Sequence, residues 1–448
     1  MDKTFAIYNF GCKVNQEEGG ALAALFSSLG WRQELQEPQL IIINTCTVTA
    51  VADKKARNLI RRLRREHPQA LIAVCGCYAQ RDAAEVAAIG GIDIIAGVDE
   101  RRSLPQLVES YLAQRQPGFG GAVAAAAPLV EVAPIAKMRR FHRIAEENMQ
   151  PRARAYLKIE DGCDQFCHYC IIPHVRGPVR SLPLAQAVEQ AKLLLQAGHQ
   201  EIVLSGIHIG AYGQDLALGE DLPTLICALL ALPGLQRLRL GSIEPQQFSP
   251  ELIQLFAGQE RICPHLHIPL QAGCDKTLSS MGRRYTTAQY AQLVATLREL
   301  RPKTAFTTDI IVGFPGESEE DFAAGADFIR SLHLAASHIF PYSRRSGTPA
   351  ATMPQQLSNA VKAERVARLS KIAEANALLY RQAFLGQQLD LLAEEVAEIA
   401  GKQYWRGHSA NYLNLLLPLD KAESVSPGQL LAVRGRALCP EGILVEML

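Results

Sequence analysis

The chain has no uninterrupted apolar run of 18 residues, so nothing in it reads as a membrane-spanning helix. Its start, MDKTFAIYNFGCK, has no basic segment followed by an apolar stretch and a small-residue cleavage site. Secretion is therefore not expected, and a cytoplasmic location is. An excess of one charge sign is also missing, because 46 Lys and Arg face 45 Asp and Glu for a formal net charge of +1. Any nucleic-acid contact must come from local clustering and not from the field of the whole molecule. Nor is the chain short of apolar residues. At 48% apolar and 20% charged, its 448 residues can bury the cores of about three domains. Eleven cysteines without a secretion signal speak against a disulfide framework and for metal or redox chemistry.

What is present first is strand-helix alternation. Apolar β-rich runs at 5–10, 40–44, 70–75 and 93–96 are each followed by a helical stretch, the pattern of a parallel sheet covered on both faces. Residues 1–117 read as this α/β domain. The Gly-, Ala- and Pro-rich segment 118–134 has no sustained periodicity, and 118–150 is read as a connector. Residues 151–380 carry six further strands, near 155–159, 201–205, 237–241, 265–268, 307–312 and 336–340, consistent with an open, partial (β/α)6 barrel. The short apolar runs of 381–448, broken by Gly, Pro and Asn, fit a small antiparallel β-barrel.

Cysteines fall where such folds build sites. Cys12, Cys46 and Cys77 each follow one of the first three long strands at its carboxyl end. Cys163-Asp-Gln-Phe-Cys167-His-Tyr-Cys170 follows the first barrel strand, where three thiolates can reach one iron-sulfur cluster. A zinc site adding His168 or His174 is the plain alternative. Cys75 and Cys77 would share a face of an extended strand, so spacing alone leaves either as the third member of the first group.

The CxxxCxxC motif after a first barrel strand resembles the radical S-adenosylmethionine (SAM) superfamily, and the motifs around the other cysteines narrow the resemblance. Gly11-Cys12-Lys13-Val14-Asn15-Gln16, Asn44-Thr45-Cys46-Thr47-Val48-Thr49 and Gly76-Cys77-Tyr78-Ala79-Gln80 are similar, in order, to the domain that defines radical SAM methylthiotransferases. That resemblance implies a flavodoxin-like parallel α/β domain, a radical SAM barrel and a C-terminal barrel similar to the RNA-binding TRAM module. It implies two [4Fe-4S] clusters and SAM as cofactors: Cys163, Cys167 and Cys170 would hold the catalytic cluster, whose open iron chelates SAM, and Cys12, Cys46 and Cys77 an auxiliary one carrying the sulfur. The family's Gly-Cys motif selects Cys77 over Cys75. Tyr169 would lie against the adenine of SAM, while Gly206, Ser242, Glu244, Gln271 and Asp309, in strand-end motifs, would bind the rest of it. Glu317 at such an end is equally suited to capping a helix.

Three branches of the family act on isopentenyladenosine in tRNA, on threonylcarbamoyladenosine in tRNA and on a ribosomal-protein aspartate. GCKVNQ, NTCTVT and GCYAQ are most similar to the threonylcarbamoyladenosine branch. The implied partners are the tRNA anticodon loop, an electron donor such as flavodoxin or ferredoxin and a sulfur donor, with no membrane. Phosphate contacts are expected from Lys54, Lys55, Arg57, Arg61, Arg62, Arg64 and Arg65, and from Lys137, Arg139, Arg140, Arg143, Arg152 and Arg154. The C-terminal segment is slightly acidic, with 6 basic against 8 acidic residues, so RNA contact there would rest on Tyr404, Trp405, Arg406 and Tyr412 stacking on bases. A tRNA-binding or iron-sulfur carrier protein without turnover is the rival from another class.

Overall fold

The computed structural model describes residues 3–114, 127–144, 153–216, 219–422 and 424–448. The first sheet contains β1 (Thr4–Asn9), β2 (Arg32–Gln33), β3 (Leu40–Thr45), β4 (Leu71–Gly76), β5 (Ile94–Ala96) and β6 (Leu129–Glu131). Their spatial order is 2-1-3-4-5-6 and every pairing is parallel, the flavodoxin-like arrangement. β3, Leu-Ile-Ile-Ile-Asn-Thr, is buried throughout because helices cover both faces of the sheet. Leu40 and Ile42 pack with Phe26 of the helix Lys13–Ser28 on one side. Ile41 and Ile43 pack with Ile60 and Leu63 of the helix Ala50–Glu66 on the other. One expectation is corrected here. Part of the segment read as a connector forms β6, which extends the sheet by pairing Val130 with Ile95; three residues are too short for a periodicity to register.

The second unit contains β7 (Arg154–Lys158), a short antiparallel pair of β8 (Glu160–Asp161) and β9 (Arg180–Ser181), then β10 (Glu201–Ser205), β11 (Arg237–Arg239), β12 (His265–His267), β13 (Ala305–Val312) and β14 (Ala336–Pro341). β7, β10 and β11 form one parallel sheet and β12, β13 and β14 another. Single bridges at Leu238–Ile262 and Ser242–His267 join them into a partial barrel open between β7 and β14. Alternation along each strand sorts the side chains. Leu157, Ile202, Leu204, Leu238, Leu266, Phe306, Ile310 and Val312 lie in the core against the outer helices. Their neighbours therefore face the barrel interior, among them Lys158, Glu201, Arg239, His265, His267 and Asp309. On β14, Ile339 packs outward, which turns His338 and Phe340 inward.

The helix Lys13–Ser28 lies across the open side of the barrel. Its Glu17 accepts the Lys158 backbone N–H at 2.9 Å and the Ser205 hydroxyl, so the exposed edge of β7 is hydrogen-bonded by a side chain of the first domain.

After the helix Asn359–Gln382, β15 (Gln388–Ile399), β16 (Lys402–His408), β17 (Asn414–Pro418), β18 (Leu430–Cys439) and β19 (Gly442–Met447) close a five-stranded barrel. It is not wholly antiparallel as expected, because β17 pairs β19 in parallel, the contact that closes it. The barrel seals the amino-terminal end of the larger one. Arg239 donates to the Ala410 and Ser409 carbonyls at 2.9 and 3.2 Å, Arg237 to Asp390, and Arg154 pairs Glu394 at 3.0 Å. Tyr412, at φ 65°, is sandwiched between His265 and His408 with ring centroids 4.5 and 4.7 Å away. Among the described residues, no helix is long and apolar enough to cross a membrane.

Candidate functional site

Gly76, at φ 93°, ends β4, and a Cβ there would meet the Thr45 carbonyl oxygen at 2.5 Å. The strand alternation that would have put Cys75 and Cys77 on one face stops at this residue. Cys75 is fully buried in the core beneath the sheet, whereas Cys77 opens the short helix Cys77–Arg81 and packs on Ile171 and Val175. Cys46 follows β3, and a Cβ on Gly11 would collide with its side chain, so the Gly11-Cys12 turn lies directly on Cys46. Cys12, Cys46 and Cys77 consequently lie within one another's electrostatic reach, with Cys12 exposed and the other two buried. Burial pushes the Cys46 thiol up to about 12, and the Cys77 and Cys12 sulfurs add to the shift. Such thiols bind a metal only by releasing protons, so a cluster's positive irons would have to displace them.

The second trio sits in the loop after β8. Cys163, Cys167 and Cys170 lie within mutual electrostatic reach, and burial pushes Cys170 up to about 12. Two histidines of the zinc alternative are engaged elsewhere: His168 Nδ1 lies 2.8 Å from the Ser280 carbonyl, and the His174 ring packs edge-on to Phe166. Among the described residues, no three His, Cys, Asp or Glu side chains close on a single metal ion.

Two arginines, neither assigned a role from sequence, reach one sulfur of each trio. Arg176 Nε donates to Cys77 Sγ at 3.2 Å, and Arg283 Nη1 donates to Cys167 Sγ at 3.3 Å. Arg176 is fully buried. It also forks onto Glu18 at 2.6 and 2.9 Å and reaches Asn15 at 2.6 Å. Glu18 is shared with Arg101 at 2.5 Å and Lys158 at 2.7 Å. Burial alone would raise its pKa, but the three cations outweigh that and hold the carboxyl well below the usual range. Lys158 and Arg176 carry the same network to Asp161 at the base of the second cysteine loop. The domains are thus joined by paired buried charges between the two trios. A second tie lies nearby, where Arg345 donates to Thr47 and Asp53 at 2.5 and 2.7 Å just beyond Cys46.

The remaining expected site residues divide. Tyr169 is packed against the barrel core beside the Arg283 guanidinium, and burial raises its pKa well above the usual phenol. Glu244 pairs with Arg283. Gly206 lies against Glu160, whose Oε2 would sit 2.8 Å from a Cβ there. Glu160 is fully buried and accepts the His208 N–H at 2.6 Å, and burial raises its pKa well above the usual carboxylate range. Ser242 is exposed at the mouth and bridges to His267, whose Nε2 lies 3.3 Å from Asp309. Gln271, at φ 66°, bridges to Ile310. Glu317 does not cap a helix: it accepts the Gly313 N–H and pairs Arg365, each at 2.6 Å, and Ser318 supplies the cap. Of the remaining cysteines, Cys263 is buried, Cys274 and Cys439 are half-buried and Cys227 is exposed.

The basic residues are also sorted by the structure. Lys54, Lys55, Arg61 and Arg65 are exposed and form no ion pair among the described residues. Arg57 instead pairs Glu85, Arg64 pairs Asp93 at 2.5 Å, and Arg154 turns into the barrel floor. Lys137, Arg139 and Arg140 are exposed, Arg143 is half-buried, and Arg152 lies outside the described residues. Two expected stacking groups are occupied: Trp405 is buried with Nε1 on the Ala422 carbonyl, and Tyr412 is held between two imidazoles.

Residues 4–97 match the model of Uncharacterized protein family UPF0004, and residues 157–329 match the Radical SAM superfamily. The Threonylcarbamoyladenosine tRNA methylthiotransferase MtaB of Bacillus subtilis is 38% identical over 92% of this chain and 90% of its own. The tRNA-2-methylthio-N(6)-dimethylallyladenosine synthase of Pelotomaculum thermopropionicum is 34% identical over 88% and 87%. A solved structure of the radical S-adenosylmethionine methyltransferase TsrM from Kitasatospora setae, with cobalamin and a [4Fe-4S] cluster bound, shares the fold at a TM-score of 0.55 and 18% identity, over 78% of this chain and 77% of that one. With both cysteine trios, the two matched segments and these near-full-length relatives in place, the chain belongs to the radical SAM methylthiotransferases, enzymes that use two [4Fe-4S] clusters and SAM.

Proposed function

We propose that the protein adds a methylthio group to carbon-2 of N6-threonylcarbamoyladenosine at position 37 of tRNA, beside the anticodon. Cys163, Cys167 and Cys170 would hold the cluster that binds SAM, and Cys12, Cys46 and Cys77 the auxiliary cluster. The donor chemistry fits: each trio offers three thiols, leaving one iron open, and each has an arginine N–H on one sulfur. When bound, the clusters supply the electron for SAM cleavage and the sulfur to be transferred. The chain's own residues hold the two sites in register through Arg176, Glu18, Lys158 and Asp161, and Tyr169, Gly206, Ser242, Glu244, Gln271 and Asp309 would bind SAM.

One observation favours the threonylcarbamoyl over the dimethylallyl substrate. Beside apolar groups such as Phe340, the barrel interior presents the ionisable side chains His267, Asp309 and His338, which suit a polar N6 substituent better than a dimethylallyl group. Exposed Lys54, Lys55, Arg61 and Arg65 beyond Cys46 would take tRNA phosphates. An electron donor such as flavodoxin or ferredoxin and a sulfur donor complete the reaction.

The test is mass spectrometry of nucleosides from tRNA incubated with the anaerobically reconstituted protein, SAM, sulfide and a strong reductant. A methylthio mass gain on threonylcarbamoyladenosine is expected. A gain on isopentenyladenosine alone, or on no tRNA nucleoside while SAM is still cleaved, would overturn the assignment.

A further inference from the structure

Lys13 directly follows Cys12 and begins the helix that spans the open side of the barrel. Its Nζ lies 5.5 Å from the centre of the Tyr412 ring. Its charge is felt at His265 and at His338 on the opposite edge of the opening. The ammonium therefore projects into the barrel interior. It is exposed and forms no salt bridge among the described residues, and the carboxylates of the same region have other partners. Glu201 is held by Arg237 and Arg239, Glu394 by Arg154 and His408, and Asp309 by His267. His338, exposed beside His267 with ring centroids 6.1 Å apart, adds an imidazole to the same region, whereas both His267 nitrogens are engaged by Thr307 and Asp309. The Arg154 and Arg239 guanidiniums over the same Tyr412 ring are paired with Glu394 and Glu201, so the Lys13 ammonium is left to be matched by an anion from outside the chain.

We propose that Lys13 is the specificity-determining residue of this enzyme: it binds the free carboxylate of the threonylcarbamoyl side chain, with His338 as a second donor, and so selects an anionic N6 substituent. This rests on the substrate assignment above and names the group that enforces it. Dimethylallyladenosine carries nothing to offset the ammonium and would have to desolvate it without return. A charge-assisted hydrogen bond of this kind corresponds to about a ten- to hundredfold difference in affinity.

The test uses the holoenzyme with SAM under anaerobic conditions and without reductant, so that binding is read separately from turnover. Fluorescence anisotropy would compare three anticodon stem-loops differing at position 37: threonylcarbamoyladenosine, its neutral carboxamide analogue and dimethylallyladenosine. The wild type should prefer the carboxylate to the carboxamide by about ten- to a hundredfold. Lys13→Gln should lose that preference through weaker carboxylate binding, while Lys13→Arg should keep it. Equal melting temperatures and cluster absorbance would show that both variants are folded and loaded. A Lys13→Gln enzyme that still prefers the carboxylate overturns the role of Lys13. So does a wild type that methylthiolates threonylcarbamoyladenosine yet binds acid and amide equally. A wild type that instead binds and methylthiolates only the dimethylallyl stem-loop overturns the substrate assignment itself.

Discussion

Arg176 and Cys77, 99 residues apart, meet across the junction of the two larger domains, with Nε 3.2 Å from Sγ. The arginine comes from the helix that directly follows the CxxxCxxC loop, and the cysteine from the first domain. One side chain therefore touches the candidate auxiliary site while being fixed to the scaffold of the radical SAM site. Hydrogen bonds to ligand sulfur stabilise the reduced form of a cluster and raise its potential.

Arg176→Lys keeps a cation for Glu18 but removes the N–H groups donated to Cys77 and Asn15. With Cys163, Cys167 and Cys170 replaced by alanine so that only the auxiliary cluster is present, this substitution should lower that cluster's potential by roughly 50 mV, about 1 kcal/mol per electron. An EPR-monitored redox titration checks this. Arg176→Ala, which leaves buried carboxylates short of a partner, should destabilise the apoprotein by about 3 kcal/mol.

The two cysteine trios should separate by function. Cys163→Ala should retain one cluster and lose SAM cleavage, whereas Cys46→Ala should retain uncoupled cleavage to 5′-deoxyadenosine and lose methylthiolated product. Iron content and chromatography of the nucleosides distinguish them, and product from Cys46→Ala would sink the assignment of the auxiliary site. Cys75→Ala should affect neither reaction, since Cys75 is core.

Glu17 gives a pH dependence with a definite sign. Burial at the domain junction raises its pKa from the usual 4.5 to about 7, against the lowering effects of Ser205 and Lys158. Between those two values the folded protein holds a proton that the unfolded chain has released, so stability falls as pH rises through this window and the loss is complete above about pH 7. Glu17→Gln should remove this component. The variant's melting temperature relative to wild type should be higher at pH 8 than at pH 5, and a constant difference would show that Glu17 does not titrate there.

On the helix Ala50–Glu66, Lys54, Lys55, Arg61 and Arg65 remain exposed for RNA. Replacing all four by alanine should weaken tRNA binding and flatten its salt dependence, by roughly 0.7 to 0.9 in the log-log slope for each phosphate no longer neutralised. Arg64→Ala should instead act on stability, because Arg64 is committed to Asp93 and to the carbonyls of Gly91 and Ala70. Filter binding at several salt concentrations, beside thermal melts, separates the two classes.

Much of this molecule can be read from local pattern. Apolar runs such as Leu40–Thr45 mark buried parallel strands because both faces are covered, and the three Cys-bearing turns announce themselves by following such strands. Leu129–Glu131 escapes such a reading because three residues carry no period, and Cys75 is ambiguous as long as Gly76 is not known to end its strand. Tyr412 and Trp405 show the same limit. An aromatic suited to stacking on RNA is, from composition alone, indistinguishable from one stacked on histidines or buried in a barrel.

Element order, the two thiol trios and the balance of charge follow from the order of amino acids alone, since each depends on residues near one another in the chain. That Arg176 and Arg283 serve the cysteines, that Glu17 and Glu18 weld the domains together, and that Lys13 faces the barrel interior is settled only once the chain is folded. Those pairings join residues tens to more than a hundred positions apart. A charged side chain carries no local mark of its partner; in a low-dielectric interior its role is set by the opposite charge or empty space that folding brings within a few ångströms.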